Sequence, residues 1–222
     1  MQNELVNADF SQRVVLQTDE LPWIPSPQAG VERRMLDRIG GEVARATSLV
    51  RYTPDSVFPP HEHELGEEFL VLDGIFSDEH GDYPAGTYVR NPPGSRHSPR
   101  TDPGCTILVK LRQMPLSEKQ RVVVDTGSAA WEPGDAPGHE RQTLYSTGPD
   151  GEVVTLERLA VGASLPDYDC PGGEELFLVS GDLADEQRSY EAGSWIRNPT
   201  GYRHGLSSKS GAVYWVKRGH LR

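Results

Sequence analysis

The chain has 222 residues and a formal net charge of −11 at pH 7, from 22 lysines and arginines against 33 aspartates and glutamates. An acidic surface repels phosphate backbones, which argues against nucleic-acid binding, and the apolar runs are too short to cross a bilayer. Because the first residues do not resemble a secretion signal and the two cysteines make no disulfide framework, we expect a cytoplasmic protein.

Short segments rich in aliphatic, β-branched and aromatic residues follow one another along the chain, separated by glycine and proline. The clearest of them are 48–52, 68–72, 86–90 and 106–111. No stretch of a dozen residues carries a helical period, and 117–123 is at most one or two helical turns. Many short strands with turn signals about every ten residues are typical of a sandwich or barrel. The sequence therefore predicts an all-β fold.

The two halves of the chain repeat each other at an offset of 107 or 108 residues. The matching pairs, in chain order, are Trp23 with Trp131, 66–74 with 173–181, and 83–97 with 190–204. A nearly constant offset over separate blocks indicates a duplicated domain. We therefore predict two tandem domains, 1–116 and 117–222.

The first half contains a set of potential metal ligands. His61 and His63 are two residues apart, so on a strand their imidazoles share a face. Glu67 follows a glycine that lets the chain bend back, and His97 follows a Pro-Pro-Gly turn on a strand that could pair with the first. Three imidazoles and a carboxylate suit Zn²⁺, Fe²⁺, Mn²⁺, Ni²⁺ or Cu²⁺. A single strand histidine is more often a core or surface residue, but the four together favour metal binding.

These residues also carry a resemblance to a known family. The pattern H-x-H-x3-E-x6-G over 61–74 resembles the first cupin motif, and G-x5-P-x-G-x2-H over 86–97 resembles the second. The wider sequence of the first half resembles the cupin domain of ChrR-type anti-sigma factors. The resemblance implies two tandem jelly-roll β-barrels, a bicupin. It also implies that one metal is bound by His61, His63, Glu67 and His97.

The resemblance leaves two functions open. ChrR-type anti-sigma factors hold the sigma factor through a helical domain with a His-x3-Cys-x2-Cys zinc site, and this sequence has no such motif. We therefore do not expect sigma-factor capture by that route. One hypothesis is a zinc-type regulatory or sensor module that acts on a regulatory protein. The other is an Fe²⁺-dependent dioxygenase that cleaves a small diketone or hydroxyketone, and a homodimer is compatible with both.

The second half keeps only part of the ligand set. At the offset of 107 the ligands His61, His63, Glu67 and His97 become Tyr168, Cys170, Glu174 and His204. One alternative is a decayed site in which Glu174 and His204 bond to each other. The other is a zinc site made by Cys170, Glu174 and His204, with a thiolate that favours zinc. We expect His139 and His220 to be exposed.

Overall fold

The computed structural model describes residues 4–148 and 151–221, and within them almost all regular structure is β. One short 3-10 helix spans Thr18–Glu20. The all-β prediction is confirmed.

The strands up to residue 125 are β1 (Glu4–Val6), β2 (Val14–Gln17), β3 (Ile24–Pro25), β4 (Val31–Gly40), β5 (Ala44–Tyr52), β6 (Ser56–Val57), β7 (His61–His63), β8 (Glu67–Asp78), β9 (Gly81–Pro84), β10 (Thr87–Asn91), β11 (Ser95–His97), β12 (Arg100–Thr101), β13 (Cys105–Leu111) and β14 (Val122–Asp125). The later strands are β15 (Glu132–Pro133), β16 (His139–Ser146), β17 (Val153–Leu159), β18 (Ser164–Cys170), β19 (Glu174–Ala184), β20 (Ser189–Glu191), β21 (Ser194–Asn198), β22 (Tyr202–Ser207) and β23 (Ala212–Arg218).

The chain forms two compact units. Of the described residues, the first contains 4–8 and 21–128, and the second contains 9–20, 129–148 and 151–221. These bounds differ from the predicted ranges 1–116 and 117–222 at two segments. The reason is strand pairing: β14 lies antiparallel to β10 in the first unit, and β2 lies antiparallel to β21 in the second. β14 of the second sequence repeat therefore extends the sheet of the first unit, and β2 of the first repeat extends the sheet of the second.

The first unit is built on an antiparallel sheet with the strand order β1-β4-β5-β13-β8-β10-β14, beside a two-stranded sheet of β11 and β7. Side chains two residues apart point to the same face of a strand. Phe69 and Val71 of β8 therefore meet Ile107 and Val109 of β13 in one hydrophobic cluster, with each side chain at most 3% exposed. This apolar interior supports the short β7–β11 sheet, which carries three of the predicted metal ligands.

The second unit repeats the arrangement in the order β15-β16-β17-β23-β19-β21-β2, with β18 paired to β22. Leu176 and Leu178 of β19 pack with Tyr214 and Val216 of β23, and each is at most 1% exposed. Among the described residues of both units, no helix has the length and apolar character needed to cross a membrane.

A glycine in β8 gives a test of this packing. Gly74 has φ +73°, and a Cβ on it would lie 2.0 Å from the carbonyl oxygen of Gly104, which is backbone and cannot move aside. Because backbone strain and overpacking add, we expect Gly74→Ala to lower the free energy of unfolding by on the order of 3 kcal/mol or more.

The matched control is Gly94→Ala. Gly94 has φ +83° but nothing within 4 Å of a new Cβ, so we expect a loss of only about 1–2 kcal/mol. Urea unfolding with a chelator present measures both variants. Equal losses would contradict the steric explanation.

Candidate metal centre

Strand pairing brings the three predicted histidine ligands together. β7 and β11 run antiparallel with His97 directly opposite His61, and His63 shares the face of His61. The three imidazole ring centroids lie 4.8–4.9 Å apart, and the ring planes are inclined to one another by 70–73°. The rings therefore converge around one point.

A tight turn returns the chain so that Glu67 can join them. The Gly66 amide donates to the His63 carbonyl at 3.2 Å, and Gly66 has φ +76°, which disfavours any side chain there. A Cβ on Gly66 would also press into Met114. Glu67 then begins β8, and its Oε2 lies 3.4 Å from His63 Nε2 and 3.7 Å from His97 Nε2.

The spacing of these atoms fits a single divalent transition metal. His63 Nε2 and His97 Nε2 are 2.9 Å apart, and two ligand atoms at right angles around a metal at about 2.1 Å would be about 3.0 Å apart. One ligand nitrogen from each of His61, His63 and His97 lies within 4.8 Å of the others. The three histidines, with Glu67 beside His63 and His97, are therefore suited to hold the metal that the sequence motif implies.

Outer hydrogen bonds direct the lone pairs of two histidines inward. The Nδ1 of His97 lies 3.3 Å from Asp78 Oδ2, and the Nδ1 of His61 lies 3.2 Å from the carbonyl oxygen of Pro59. Because these acceptors take the Nδ1 proton of a neutral imidazole, Nε2 keeps its lone pair for a metal. A carboxylate or carbonyl behind a ligand histidine is the usual arrangement in metal sites.

A chain of hydrogen bonds then connects Asp78, which lies behind His97, to Glu67. The Tyr83 hydroxyl donates to Asp78 Oδ1 at 2.9 Å, and Arg121 donates to the Tyr83 hydroxyl at 2.7 Å. Arg121 also donates to Asn91 Oδ1 at 3.2 Å, and Asn91 Nδ2 donates to Glu67 Oε2 at 3.1 Å. Arg121 therefore positions the groups behind both Glu67 and His97.

The histidine pKa values respond to these surroundings in opposite directions. Burial lowers the pKa of His63. Burial also acts to lower the pKa of His97, but the hydrogen bond to Asp78 and the charge of Glu67 outweigh it, so that pKa is raised. Asp78 has a lowered pKa although burial opposes this, because it accepts hydrogen bonds from His97, the His80 amide and Tyr83. Asp78 therefore stays ionised behind His97.

Two cavities border the histidines. The site cavity, of about 280 Å³, is lined by His61, His63, Glu67, Tyr52 and Leu111 among others. The apolar cavity, of about 320 Å³, shares His61 and Tyr52 with the site cavity, and its remaining wall is formed by Gln28, Val31, Phe58, Pro59 and Pro99. The ligand set therefore opens onto space that a small molecule could occupy.

The structure also brings together Cys170, Glu174 and His204 of the second unit. Their ligand atoms lie within 4.8 Å of one another, and all three are buried. Burial raises the pKa of the Cys170 thiol well above its usual range, and the charge of Glu174 adds to this, so the sulfur stays protonated. His204 Nε2 is 2.9 Å from Glu174 Oε1, and Tyr168 donates to Glu174 Oε2 at 3.0 Å.

The residues that position the ligands from behind were not predicted from the sequence, although the internal repeat marks them. Four positions of the first network recur in the second unit: Asp78 as Asp185, Tyr83 as Tyr190, Asn91 as Asn198, and Arg121 as Arg13. The contacts recur as well, because Arg13 donates to Asn198 Oδ1 at 2.9 Å and to Asp185 Oδ2 at 2.6 Å.

The expected exposure of His139 and His220 was wrong. The His139 side chain is 1% exposed, and its Nε2 lies 3.1 Å from Glu157 Oε2. The His220 side chain is 4% exposed, and its Nε2 lies 3.0 Å from Glu175 Oε1. Each histidine is buried against a carboxylate that is distant in sequence. The glycine beside His139 and the position of His220 near the C-terminus gave no sign of these partners.

Comparison with known proteins agrees with this geometry. The family model of the ChrR cupin-like domain matches residues 11–115 and again 119–222. No curated protein matches the chain. These family matches, with the solved structures below, confirm the predicted resemblance and the bicupin fold.

Several solved structures are similar to nearly the whole chain. A proposed dioxygenase of Nostoc punctiforme is 16% identical with a TM-score of 0.77, over 96% of this chain and 85% of that one. A proposed glyoxylate-induced protein of Pseudomonas aeruginosa is 12% identical with a TM-score of 0.76, over 100% and 92%. Oxalate decarboxylase of Bacillus subtilis is 12% identical with a TM-score of 0.63, over 94% and 77%. At such identities the likeness is one of fold.

The hydrogen bond from His97 to Asp78 gives a prediction for metal binding. We expect Asp78→Asn to weaken Zn²⁺ affinity at pH 8 by about 10–100-fold, because the ring loses its orienting carboxylate. Asp78 raises the pKa of His97, so in the wild type protons compete with metal from a higher pH than for a free histidine. Without Asp78, the loss of affinity on acidification should therefore begin at a lower pH.

Competition with a chromophoric chelator between pH 5.5 and 8 measures both effects. Asp82→Asn is the control, since Asp82 is an exposed carboxylate of the same hairpin that pairs with Arg100. Identical binding by Asp78→Asn and wild type at every pH would contradict the assigned role.

Proposed function

The chain belongs to the ChrR cupin-like domain family, and on that premise we propose that it is a metal-dependent enzyme of small carbonyl compounds. In this proposal the first unit holds one divalent transition metal through His61, His63, Glu67 and His97. The reaction class we favour is the Fe²⁺-dependent dioxygenation of a neutral diketone or hydroxyketone.

The observation that carries the proposal is the apolar cavity beside the ligand set. A purely structural metal site is closed by its ligands, whereas a catalytic site keeps positions open to substrate. His61 is a ligand candidate and also part of the wall of the apolar cavity. At about 320 Å³ this cavity lies at the lower end of the range of small-molecule pockets, about 300–1,000 Å³. This supports a small substrate.

The wall of the apolar cavity also favours a neutral substrate. Its residues carry no lysine or arginine that could hold a carboxylate. Two arginines near the site already pair with carboxylates: Arg96 lies 2.6 Å from Glu62, and Arg112 lies 2.6 Å from Glu64. A small neutral carbonyl compound can pack against these apolar side chains without placing a charge beside them.

The protein supplies the binding surface and one hydrogen-bond donor. When bound, the metal would supply Lewis-acid polarisation of a substrate oxygen and, if it is redox-active, the capacity for dioxygen chemistry. Phe58 and Val31 form part of the apolar wall of the cavity beside it. Tyr52 lines both cavities, and burial, reinforced by the charge of Glu67, raises its pKa well above the usual range. The phenol therefore stays protonated and can donate to a substrate oxygen.

The similar structures are compatible with this proposal and do not define the reaction. One of them is described as a dioxygenase, and another is an oxalate decarboxylase with Mn(II) centres. The metal proposed here is Fe²⁺, and Mn²⁺, Ni²⁺ or Zn²⁺ would suit the same ligands.

A zinc-type regulatory or sensor module that acts on a regulatory protein is the second candidate. The ChrR description of the family favours it. A cytoplasmic location and a homodimer stay predictions under either function.

Oxygen uptake by the Fe²⁺-loaded protein tests the enzyme directly. With a panel of small neutral β-diketones and α-hydroxyketones, we expect at least one compound to be consumed together with O₂. The rate should fall to the level of free Fe²⁺ in His61→Ala/His63→Ala, which removes two ligands. Stoichiometric metal binding without turnover of any compound would contradict the enzyme and favour the sensor.

Tyr52→Phe tests the donor in the same assay. We expect kcat to fall by about 100-fold, as when one oriented donor to a developing negative charge is removed, while the bound metal stays unchanged. Tyr202→Phe, at a tyrosine of the second unit that contacts Gln187, is the control and should not alter kcat. An unchanged kcat in Tyr52→Phe would remove Tyr52 from the mechanism.

A further inference from the structure

The two units differ at a position beside the ligand carboxylate. In the first unit Leu111 of β13 stands opposite Glu67 of β8, and in the second Arg218 of β23 stands opposite Glu174 of β19. The offset of 107 residues also matches Val50 of the first unit with Glu157 of the second. Leu111, which lines the site cavity, and Val50, which packs against the hydrophobic cluster, are therefore replaced by an arginine and a glutamate in the second unit.

The new arginine and glutamate form a bonded charge cluster in the second unit. Arg218 Nε donates to Glu174 Oε2 at 2.8 Å, and its Nη1 donates to Glu157 Oε1 at 2.5 Å. Glu157 is also held by Thr155 at 2.8 Å and lies 3.1 Å from His139. The two carboxylates that Arg218 joins are at most 1% exposed.

Glu174 has no acceptor capacity left for a metal. An ionised carboxylate accepts about four hydrogen bonds. Its Oε1 faces His204 Nε2 at 2.9 Å and Asn198 Nδ2 at 3.2 Å. Its Oε2 accepts from Tyr168 at 3.0 Å and from Arg218 at 2.8 Å. A His204 nitrogen that donates to Glu174 has no lone pair to give to a cation.

We propose that Arg218 takes the place of the metal in the second unit, so that this unit binds no divalent cation. Its guanidinium supplies the positive charge that the buried Glu174 requires. The residues that the cupin pattern would offer to a metal, Glu174 and His204, are bonded within the protein. A divalent cation would have to displace a fixed cation and would be repelled by it. This inference does not depend on the reaction of the first unit.

Co²⁺ stoichiometry in designed variants tests the proposal. In the His61→Ala/His63→Ala background, where the first site is disabled, we expect no stoichiometric Co²⁺ by native mass spectrometry. We also expect none when Tyr168→His/Cys170→His completes the ligand set while Arg218 is kept. Adding Glu157→Val/Arg218→Leu, which gives the second unit the residues of the first, should raise the count to one Co²⁺ per chain.

Each outcome bears on the proposal. One Co²⁺ in either form that keeps Arg218 would overturn it. No Co²⁺ in the fully substituted chain, with near-ultraviolet circular dichroism like that of the wild type, would overturn Arg218 as the cause. If the fully substituted chain does not fold, the two forms that keep Arg218 still show whether this unit binds a cation, because both keep Arg218 with its carboxylate partners Glu174 and Glu157. Failure here would leave the oxygen-uptake result untouched, since that assay reports on the first unit.

Discussion

A carboxylate buried inside each unit must be matched by positive charge, and this requirement organises both sites. Glu67 is 6% exposed and Glu174 is 0% exposed. An ionised carboxylate without a partner is very costly in such surroundings. The first unit surrounds Glu67 with three imidazoles that can hold a metal, whereas the second provides the guanidinium of Arg218. One fold thus satisfies the same requirement in two ways.

Behind each carboxylate lies the same set of supporting bonds. Arg121 in the first unit and Arg13 in the second each join an asparagine, a tyrosine and an aspartate. Each arginine comes directly before the strand that its sequence repeat gives to the other unit. The exchange of strands therefore has a chemical consequence, since the first ligand set is positioned by a residue of the second repeat.

Much of the first site could be predicted from the sequence because its ligands are close in the chain. His61, His63 and Glu67 lie within seven residues. The Pro-Pro-Gly turn and the internal repeat indicate the strand that carries the fourth ligand, His97. Arg218 could not be predicted in the same way. It is 44 residues from Glu174 and 61 from Glu157, and it meets them only through the pairing of three strands. The pairing of β2 and β14 could not be predicted for a related reason, since a short strand belongs to whichever sheet it pairs with.

The central claim is that one metal binds per chain, in the first unit. Anomalous diffraction at the cobalt edge from Co²⁺-loaded crystals tests it most directly. One strong peak is expected, about 2.1 Å from the nearest nitrogens of His61, His63 and His97, with no peak beside Arg218. A peak near Cys170 and His204, or the absence of one at the three histidines, would contradict it.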